Sequence, residues 1–538
     1  MNLKVRQGER IHKSKEIKNI KDMLEKSAEL YKNNIAFKYK ENGEIKTVTY
    51  EQVKKDVDAL GTALINLGLK NKKIAIVGVN SYKWVVAYLA TVCGTGIVVP
   101  IDKALPANEI ENLINQSNAE AVFFDEKYTE YIKNMKVPSL KHSICFENAS
   151  FDNLINTGKE LLKNNAKSFI NAEIDDKAMN IILFTSGTTS NSKGVMLSHS
   201  NICTNIMGLS EVLEYKQEDI ILSFLPIHHT FESTVTMLSG LYNGCCMAFC
   251  EGLRYVVQNI KDFNISIFTT VPLVLENLYK KVQQQVVASE GKVTAEAILK
   301  SIAPNWRFAL VGAAPLNKEV IIGFKSWGLD VHQGYGLTET SPILTLETDN
   351  LIKPGSIGVS LPNVEIEIDN PDENGLGEIK VKGPNVMLGY YENKEATDEV
   401  LKDGWFYTGD LGYVDEEGFL FISGRKKNVI VLKNGKNIFP EEIEVVLNDN
   451  PYVAESFVYA EEARDGDSKI CAKIVYNKEA MDANLGNLFK EKILDIMQEH
   501  RKKVNKSLPL YKTIKQISIT TEPLVKTTTG KIKRYANM

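Results

Sequence analysis

Residues 185–199 read TSGTTSNSKGVMLSH and follow directly on MNIILF at 179–184, a continuous apolar run of the length of a buried strand. A buried strand that ends in hydroxyls, glycines and one lysine points to an α/β scaffold cradling a polyphosphate at the strand end. Gly187 and Gly194 let backbone N–H groups approach closely, the Ser and Thr hydroxyls donate, and Lys193 adds positive charge. Ser198 to Asn201 supply capping side chains for a following helix. The spacing is not that of a P-loop, which needs four residues between its first glycine and Gly-Lys-Ser/Thr. Here six residues separate Gly187 from Gly194, and the lysine comes first. Ser/Thr/Gly-rich segments are usually solvated turns, so this loop alone fixes no function.

Outward from the loop, the chain alternates short apolar strands with helices. Thr49 and Gln52 make a capping box, and Val53, Val57, Leu60, Leu64 and Leu67 recur at helical spacing, which predicts a helix over 50–67. A strand at 73–79, a helix at 82–93, a strand at 97–101, a helix at 108–116 and a strand at 120–124 follow. The alternation resumes between 181 and 332, so two parallel α/β layers are expected. From 353 to about 423 the texture changes to short strands with Gly, Pro, Asn and Asp turns, as in a small antiparallel barrel or sheet. After Arg425 come NVIVL, a helix near Pro440, a hairpin at 453–476, a helix at about 485–506 and a strand at about 514–520. The expected fold is thus α/β. A large N-terminal domain, 1–426, carries two doubly layered α/β sheets over about 1–352 and a β-barrel-like subdomain over about 353–426. A small α+β domain, 427–538, completes the chain.

Length and charge narrow the function classes. A chain of 538 residues is too long for one core, and a formal net charge of −4 gives no electrostatic case for a nucleic-acid partner. The lysine-rich beginning (Lys4, Arg6, Arg10, Lys13, Lys15, Lys18) is mixed with Glu9 and Glu16 and reads as a solvated helix. No apolar core follows it, so no signal peptide is expected. The apolar stretch 84–101 is punctuated by Gly94, Gly96 and Pro100, so a buried helix, a turn and a short strand account for it better than a membrane span; peripheral membrane contact stays open. Seven cysteines without paired or zinc-like spacing read as reduced thiols in or near the core of a cytoplasmic protein.

Four further segments stand in order: QGYGLTETSP (333–342), FYTGDLG (406–412), SGRKKNVIVLKNGKNIFPEEIE (423–444) and PLVKTTTGKIKR (523–534). With the first loop they resemble the adenylate-forming superfamily of acyl-CoA synthetases, peptide-synthetase adenylation domains and luciferases. The resemblance implies that ATP, Mg²⁺ and CoA serve a small-molecule carboxylic acid. It assigns Thr185, Ser186, Gly187, Thr188, Thr189 and Lys193 to the β- and γ-phosphates, Glu339 to magnesium, and Thr338 to the α-phosphate. A single carboxylate suits a hard cation that completes its shell with phosphate and water. The adenine is expected between Gly312, Ala313 and Ala314 on one side and Tyr335, with its neighbours Gly334 and Gly336, on the other. Asp410 would accept both ribose hydroxyls, with Arg425 beside it. Lys531 would bridge the α-phosphate and the attacking carboxylate. The small domain is expected to pivot at Lys427, Gly435 and Lys436 to line a pantetheine tunnel, and His229 to stand where the acyl and thiol paths meet.

The strings around Asp410 and Lys436, and the lengthened region 280–308, are most similar to the AMP-forming long-chain fatty acyl-CoA synthetase branch. Three readings compete: a CoA ligase, a ligase that loads the pantetheine of an acyl carrier protein, and a non-catalytic nucleotide or acyl sensor. A sensor has no need for the magnesium carboxylate and the C-terminal lysine together, so the sequence favours the enzymes.

Overall fold

The computed structural model describes residues 3–185, 192–432, 436–462, 468–485, 489–526 and 532–537. Two large mixed sheets dominate. One runs in the order Gly389–Tyr390, Lys193–Ser198, Met179–Thr185, Gly96–Ile101, Lys72–Val77, Ala121–Phe124, His142–Cys145. The last five of these strands are parallel to one another. The second sheet has nine strands, and its six parallel ones include Ile220–Ser223, Ile267–Thr270, Phe308–Val311 and Asp330–Gly336. The expected pair of α/β layers is present.

Between the sheets lies an inner layer of helices, among them Tyr50–Asn66, Tyr82–Ala90, His199–Val212 and the π-helical Phe231–Leu238. Tyr82–Ala90 is buried along nearly its whole length, and every residue of Phe231–Leu238 is buried. A helix that is apolar on nearly all sides, as Tyr82–Ala90 is, belongs inside a core rather than on a surface. Residues 84–101 follow the expected path: the helix breaks at Gly94, where φ is +150°, and the strand Gly96–Ile101 begins. Six of the seven free cysteines are buried, with Cys250 partly exposed.

The β-rich part is an antiparallel sheet in the order Leu3–Lys4, Glu365–Asp369, Gly377–Lys382, Trp405–Val414, Leu401–Lys402, with Leu420–Arg425 also paired to Trp405–Val414. Beyond these strand pairings the Arg6 amide donates to Gly418 O at 2.9 Å, so the N-terminal arm also bonds the chain that leads into Leu420–Arg425. The sheet's first strand corrects the reading of the N-terminus as a solvated helix. Leu3 and Lys4 pair with Ile368 and Glu367, Gly8 donates to Ser360 O, Val5 and Ile17 are buried, and the first helix begins only at Ile20. Lys4, Lys13 and Lys18 are exposed, whereas Lys15 Nζ packs against the Tyr31 and Tyr242 rings at 4.6 and 5.2 Å.

The phosphate-loop segment also differs from the expected strand, loop and helix. Lys193–Ser198 is a strand that returns antiparallel on Met179–Thr185, Lys193 opposite Thr185, before the helix His199–Val212 starts. Val195 and Leu197 are buried along it, and Ser198 and Asn201 close a capping box at the helix start. The C-terminal unit pairs Val453–Glu462, Ser468–Tyr476 and Gln516–Thr520 in one sheet and has an apolar core of its own built on Ile443, Leu447, Ile474 and Met497. Its helix Phe489–Ser507 is preceded by a separate helix, Lys478–Leu485.

Candidate active site

Three residues separated by up to 90 positions meet at the edge of the β-rich sheet. The Tyr335 hydroxyl donates to Asp410 Oδ2 at 2.6 Å, and Arg425 Nε lies 2.7 Å from Asp410 Oδ1. Asp410 and Arg425 face each other because their strands pair in that register. Thr408 fixes the turn of chain beneath them: its Oγ1 donates to Ile379 O at 2.8 Å and accepts from the Asp410 amide at 3.1 Å. Asp410 is 5 % exposed, so one oxygen holds a guanidinium and the other a neutral hydroxyl donor where water is scarce. Burial, then Asp410, push the Tyr335 phenol well above its ordinary pKa, and it stays a neutral donor. Burial opposes the Arg425 charge, but Asp410, Tyr335, Glu339 and Glu441 outweigh it and hold its pKa above the usual value.

Tyr335 stands near the end of Asp330–Gly336, which runs parallel to Phe308–Val311, so the turn 312–314 lies beside it. A Cβ on Gly312 would come within 3.1 Å of Phe231 Cζ; the glycine lets that ring close against the turn. Ala313 has φ +71°, a left-handed conformation that an L-residue adopts only under constraint. At Gly336 a Cβ would fall 1.8 Å from Pro342 O, because the chain doubles back tightly into Thr338–Thr340. Gly334 packs against the neighbouring strand, with Thr345 O 3.2 Å from where its Cβ would be.

That doubled-back turn carries Thr338 and Glu339, both partly exposed. Glu339 Oε1 accepts from the Tyr390 hydroxyl at 2.9 Å, and its main-chain oxygen accepts from the Met387 amide at 2.8 Å. Lys193 Nζ stands 4.8 Å from the centre of the Tyr390 ring. The cation at the end of the first loop and the carboxylate of the turn therefore share one phenol. Thr185 Oγ1 donates to Lys193 O at 3.4 Å at the mouth of the same hairpin. A partly exposed carboxylate beside a hydroxyl-bearing residue fits Mg²⁺, whose remaining positions phosphate oxygens and water would take.

His229 stands two residues before the Phe231–Leu238 segment: its Nδ1 accepts from the Phe231 amide at 3.2 Å, and Phe231 is the ring against Gly312. Its neighbour His228 has Nε2 3.6 Å from Asp102 Oδ2, and burial lowers the pKa of His228. Lys427 lies in the short turn Lys426–Asn428 that joins the β-rich sheet to the C-terminal unit. Lys436 Nζ stands 4.3 Å from the centre of the Tyr511 ring. Ser186, Gly187, Thr188, Thr189, Gly435 and Lys531 lie outside the described residues. The chain on either side of Lys531 is well tied: Lys526 pairs with Glu455 at 2.7 Å, and Arg534 with Glu444 at 2.7 Å. The sequence reading missed Tyr390 and Thr408. YTGD held the signal for Thr408, two residues before Asp410; GYYEN reads as an ordinary turn and held none for Tyr390.

A doubly sheeted α/β body with a tyrosine, a carboxylate and a guanidinium gathered beside a tight glycine turn defines a nucleotide-handling enzyme scaffold. Residues 24–391 match the AMP-binding enzyme family, and the chain belongs to that family. Its relatives include a long-chain-fatty-acid–CoA ligase 6 of Mus musculus, 29 % identical over 77 % of this chain and 68 % of the relative. A probable 4-coumarate–CoA ligase 2 of Dictyostelium discoideum is 37 % identical over 57 % of this chain and 56 % of its own length. Among solved structures, ATP-bound MatB from Rhodopseudomonas palustris shares the fold at a TM-score of 0.80, with 24 % identity over 96 % of this chain and 97 % of that one.

Proposed function

We propose that this chain is an AMP-forming acyl-CoA synthetase that activates a fatty acid with ATP in the cytoplasm and transfers the acyl group to CoA. The observation that carries the reading is the convergence of Tyr335, Asp410 and Arg425 with the Lys193–Tyr390–Glu339 contact, drawn from five separated segments. The mouse relative named for long-chain fatty acids and the paired helices Pro272–Ala288 and Ala295–Ile302 in the lengthened region support a fatty acid. The chain is read as dividing at 426–427, with Lys427 as the pivot.

In this reading a carboxylate oxygen of the acid attacks the α-phosphorus of ATP. The bond from that phosphorus to the bridging oxygen breaks, and pyrophosphate leaves. Tyr335 and the 312–314 turn hold the base, Asp410 takes the ribose hydroxyls with Arg425 steadying its charge, and Lys193 with residues 185–189 grips the outer phosphates. Lys531 brings the two anions together, and positioning and electrostatics supply most of the acceleration. Glu339 would hold Mg²⁺, which when bound offsets the charge on the phosphates, and Thr338 would meet the α-phosphate. The thiol of CoA then attacks the acyl carbon beside His229, the bond to the phosphate oxygen breaks, and AMP leaves.

The test is to supply ATP, Mg²⁺ and acids from acetate to palmitate, with aromatic acids included, and to measure pyrophosphate and AMP with and without CoA. AMP released only with CoA is the expected result. Acyl-adenylate retained until a carrier protein is added would replace CoA by the carrier, and no release with any acid would leave a sensor. Lys531→Ala is expected to lower adenylate formation about a hundredfold or more while still consuming supplied acyl-adenylate with CoA. Equal loss of both half-reactions refutes the role given to Lys531.

A further inference from the structure

We propose that Tyr390 is a positioning residue of the metal and phosphate site: its hydroxyl sets the Glu339 carboxylate and its ring face seats Lys193, so that the two opposite charges stay available to the ligand. The inference rests on the reading of Glu339 as the metal carboxylate. The geometry is specific. Tyr390 is 7 % exposed, donates to Glu339 Oε1 at 2.9 Å and lies 4.8 Å under Lys193 Nζ.

The backbone leaves this side chain little choice of place. Gly389 and Tyr390 pair with Met196 and Val195 on the strand that Lys193 begins. Leu388 and Tyr391 donate to Met196 O and Gly194 O at 2.9 and 2.7 Å, while Met387 donates to Glu339 O at 2.8 Å. One short segment is therefore bonded on one side to the phosphate-loop hairpin and on the other to the carboxylate turn. The side chain it presents between them is the one that touches both functional groups.

The chemistry explains why a phenol suits this place. A direct Lys193–Glu339 ion pair would neutralise both groups and withdraw them from phosphate and metal. A neutral O–H satisfies one carboxylate oxygen without adding charge, and an aromatic face holds an ammonium while leaving its N–H donors free to bind. Partners that orient a metal ligand in this way change metal affinity about ten- to a hundredfold when removed.

The experiment is electron paramagnetic resonance of Mn²⁺ titrated into the full chain with ATP present, for the wild type, Tyr390→Phe, Glu339→Gln, the double variant and Tyr391→Phe. Tyr390→Phe loses one oxygen and keeps the ring that seats Lys193; melting temperature reports its folding. Its ATP-dependent Mn²⁺ affinity is expected to fall about tenfold, with metal-free ATP binding unchanged. The double variant is expected to bind no more weakly than Glu339→Gln alone, and Tyr391→Phe to match the wild type. Wild-type metal affinity in Tyr390→Phe, full additivity in the double variant, or an equal loss in Tyr391→Phe overturns the proposal. A wild-type protein without any ATP-dependent Mn²⁺ site overturns the parent reading of Glu339, and this proposal falls with it.

Discussion

Glu232 sits in the first turn of Phe231–Leu238 with no exposed surface. Thr236 Oγ1 donates to its Oε2 at 3.3 Å. Burial raises its pKa to about 8, against the lowering effect of bonds from Ser223, Thr236 and the Leu225 amide. Unfolding exposes the carboxyl and returns its pKa to about 4.5. Between these values the folded chain binds more protons than the unfolded one, so stability falls as pH rises through that window and is unaffected by this group below it. Glu347 adds the same sign over a narrower window: it is fully buried, its pKa is raised to about 7 by burial, and it accepts from the Gln333 and Lys353 amides. Glu232→Gln keeps the neutral shape and removes the proton. Melting temperatures of the variant and the wild type should therefore diverge from pH about 5 to about 8, with the variant gaining on a scale of about 1.4 kcal/mol per pKa unit. Parallel curves would show that Glu232 titrates normally in the fold.

At the scale of elements, the turn that carries Glu339 is held by two amides buried behind it. Asn205, on His199–Val212, donates to Thr340 O and Ile343 O at 3.2 and 2.9 Å and accepts from the Ile343 amide at 3.0 Å. Asn385 donates to the same two carbonyls at 3.1 and 3.3 Å, while Ser341 Oγ donates to Asn385 O at 2.9 Å. Asn205→Ala leaves those carbonyls to Asn385 but orphans the Ile343 amide, so it should cost about 1–3 kcal/mol in denaturant unfolding. An unchanged midpoint would mean that the turn holds its shape without the helix. These contacts also mark where sequence reading stops. Helices and strands at 50–124 were legible because their apolar residues repeat with the period of the element. The hairpin at 193–198 was hidden by a lysine and a glycine at its start, and the N-terminal arm by charged side chains whose backbone alone enters the sheet. Asn205 and Asn385 bond main-chain atoms far away in sequence, which no periodicity records. The cluster of the candidate site was legible wherever a residue stood inside a distinctive string, as Tyr335, Asp410 and Arg425 did; Tyr390 stood inside a string that also describes a turn.

Across the whole molecule, the residues proposed to hold the nucleotide lie on the two large sheets and the β-rich sheet, whereas residues 432–517, which precede the proposed Lys531, build a separate apolar core. Described contacts join the two: Asn317 Nδ2 donates to Asp449 Oδ1 at 3.4 Å, and a Cβ at Gly424 would stand 3.0 Å from Glu441 Oε2. A rotation of the C-terminal unit would have to break the first of these contacts and absorb its dihedral change within Lys426–Asn428. In the proposed reaction, bringing Lys531 to the α-phosphate and bringing a pantetheine path to the acyl carbon would place different demands on that short turn. Proline at 427 fixes φ near −65° and removes one N–H, so it favours whichever orientation tolerates that value. Lys427→Pro should therefore slow adenylate formation and thioester formation from supplied acyl-adenylate by unequal factors, differing by about tenfold or more, equivalent to about 1.4 kcal/mol of barrier. Pyrophosphate exchange reports the first half-reaction and AMP release from acyl-adenylate with CoA the second. Equal slowing of both, with an unchanged melting temperature, would mean that one arrangement of the two units serves both steps.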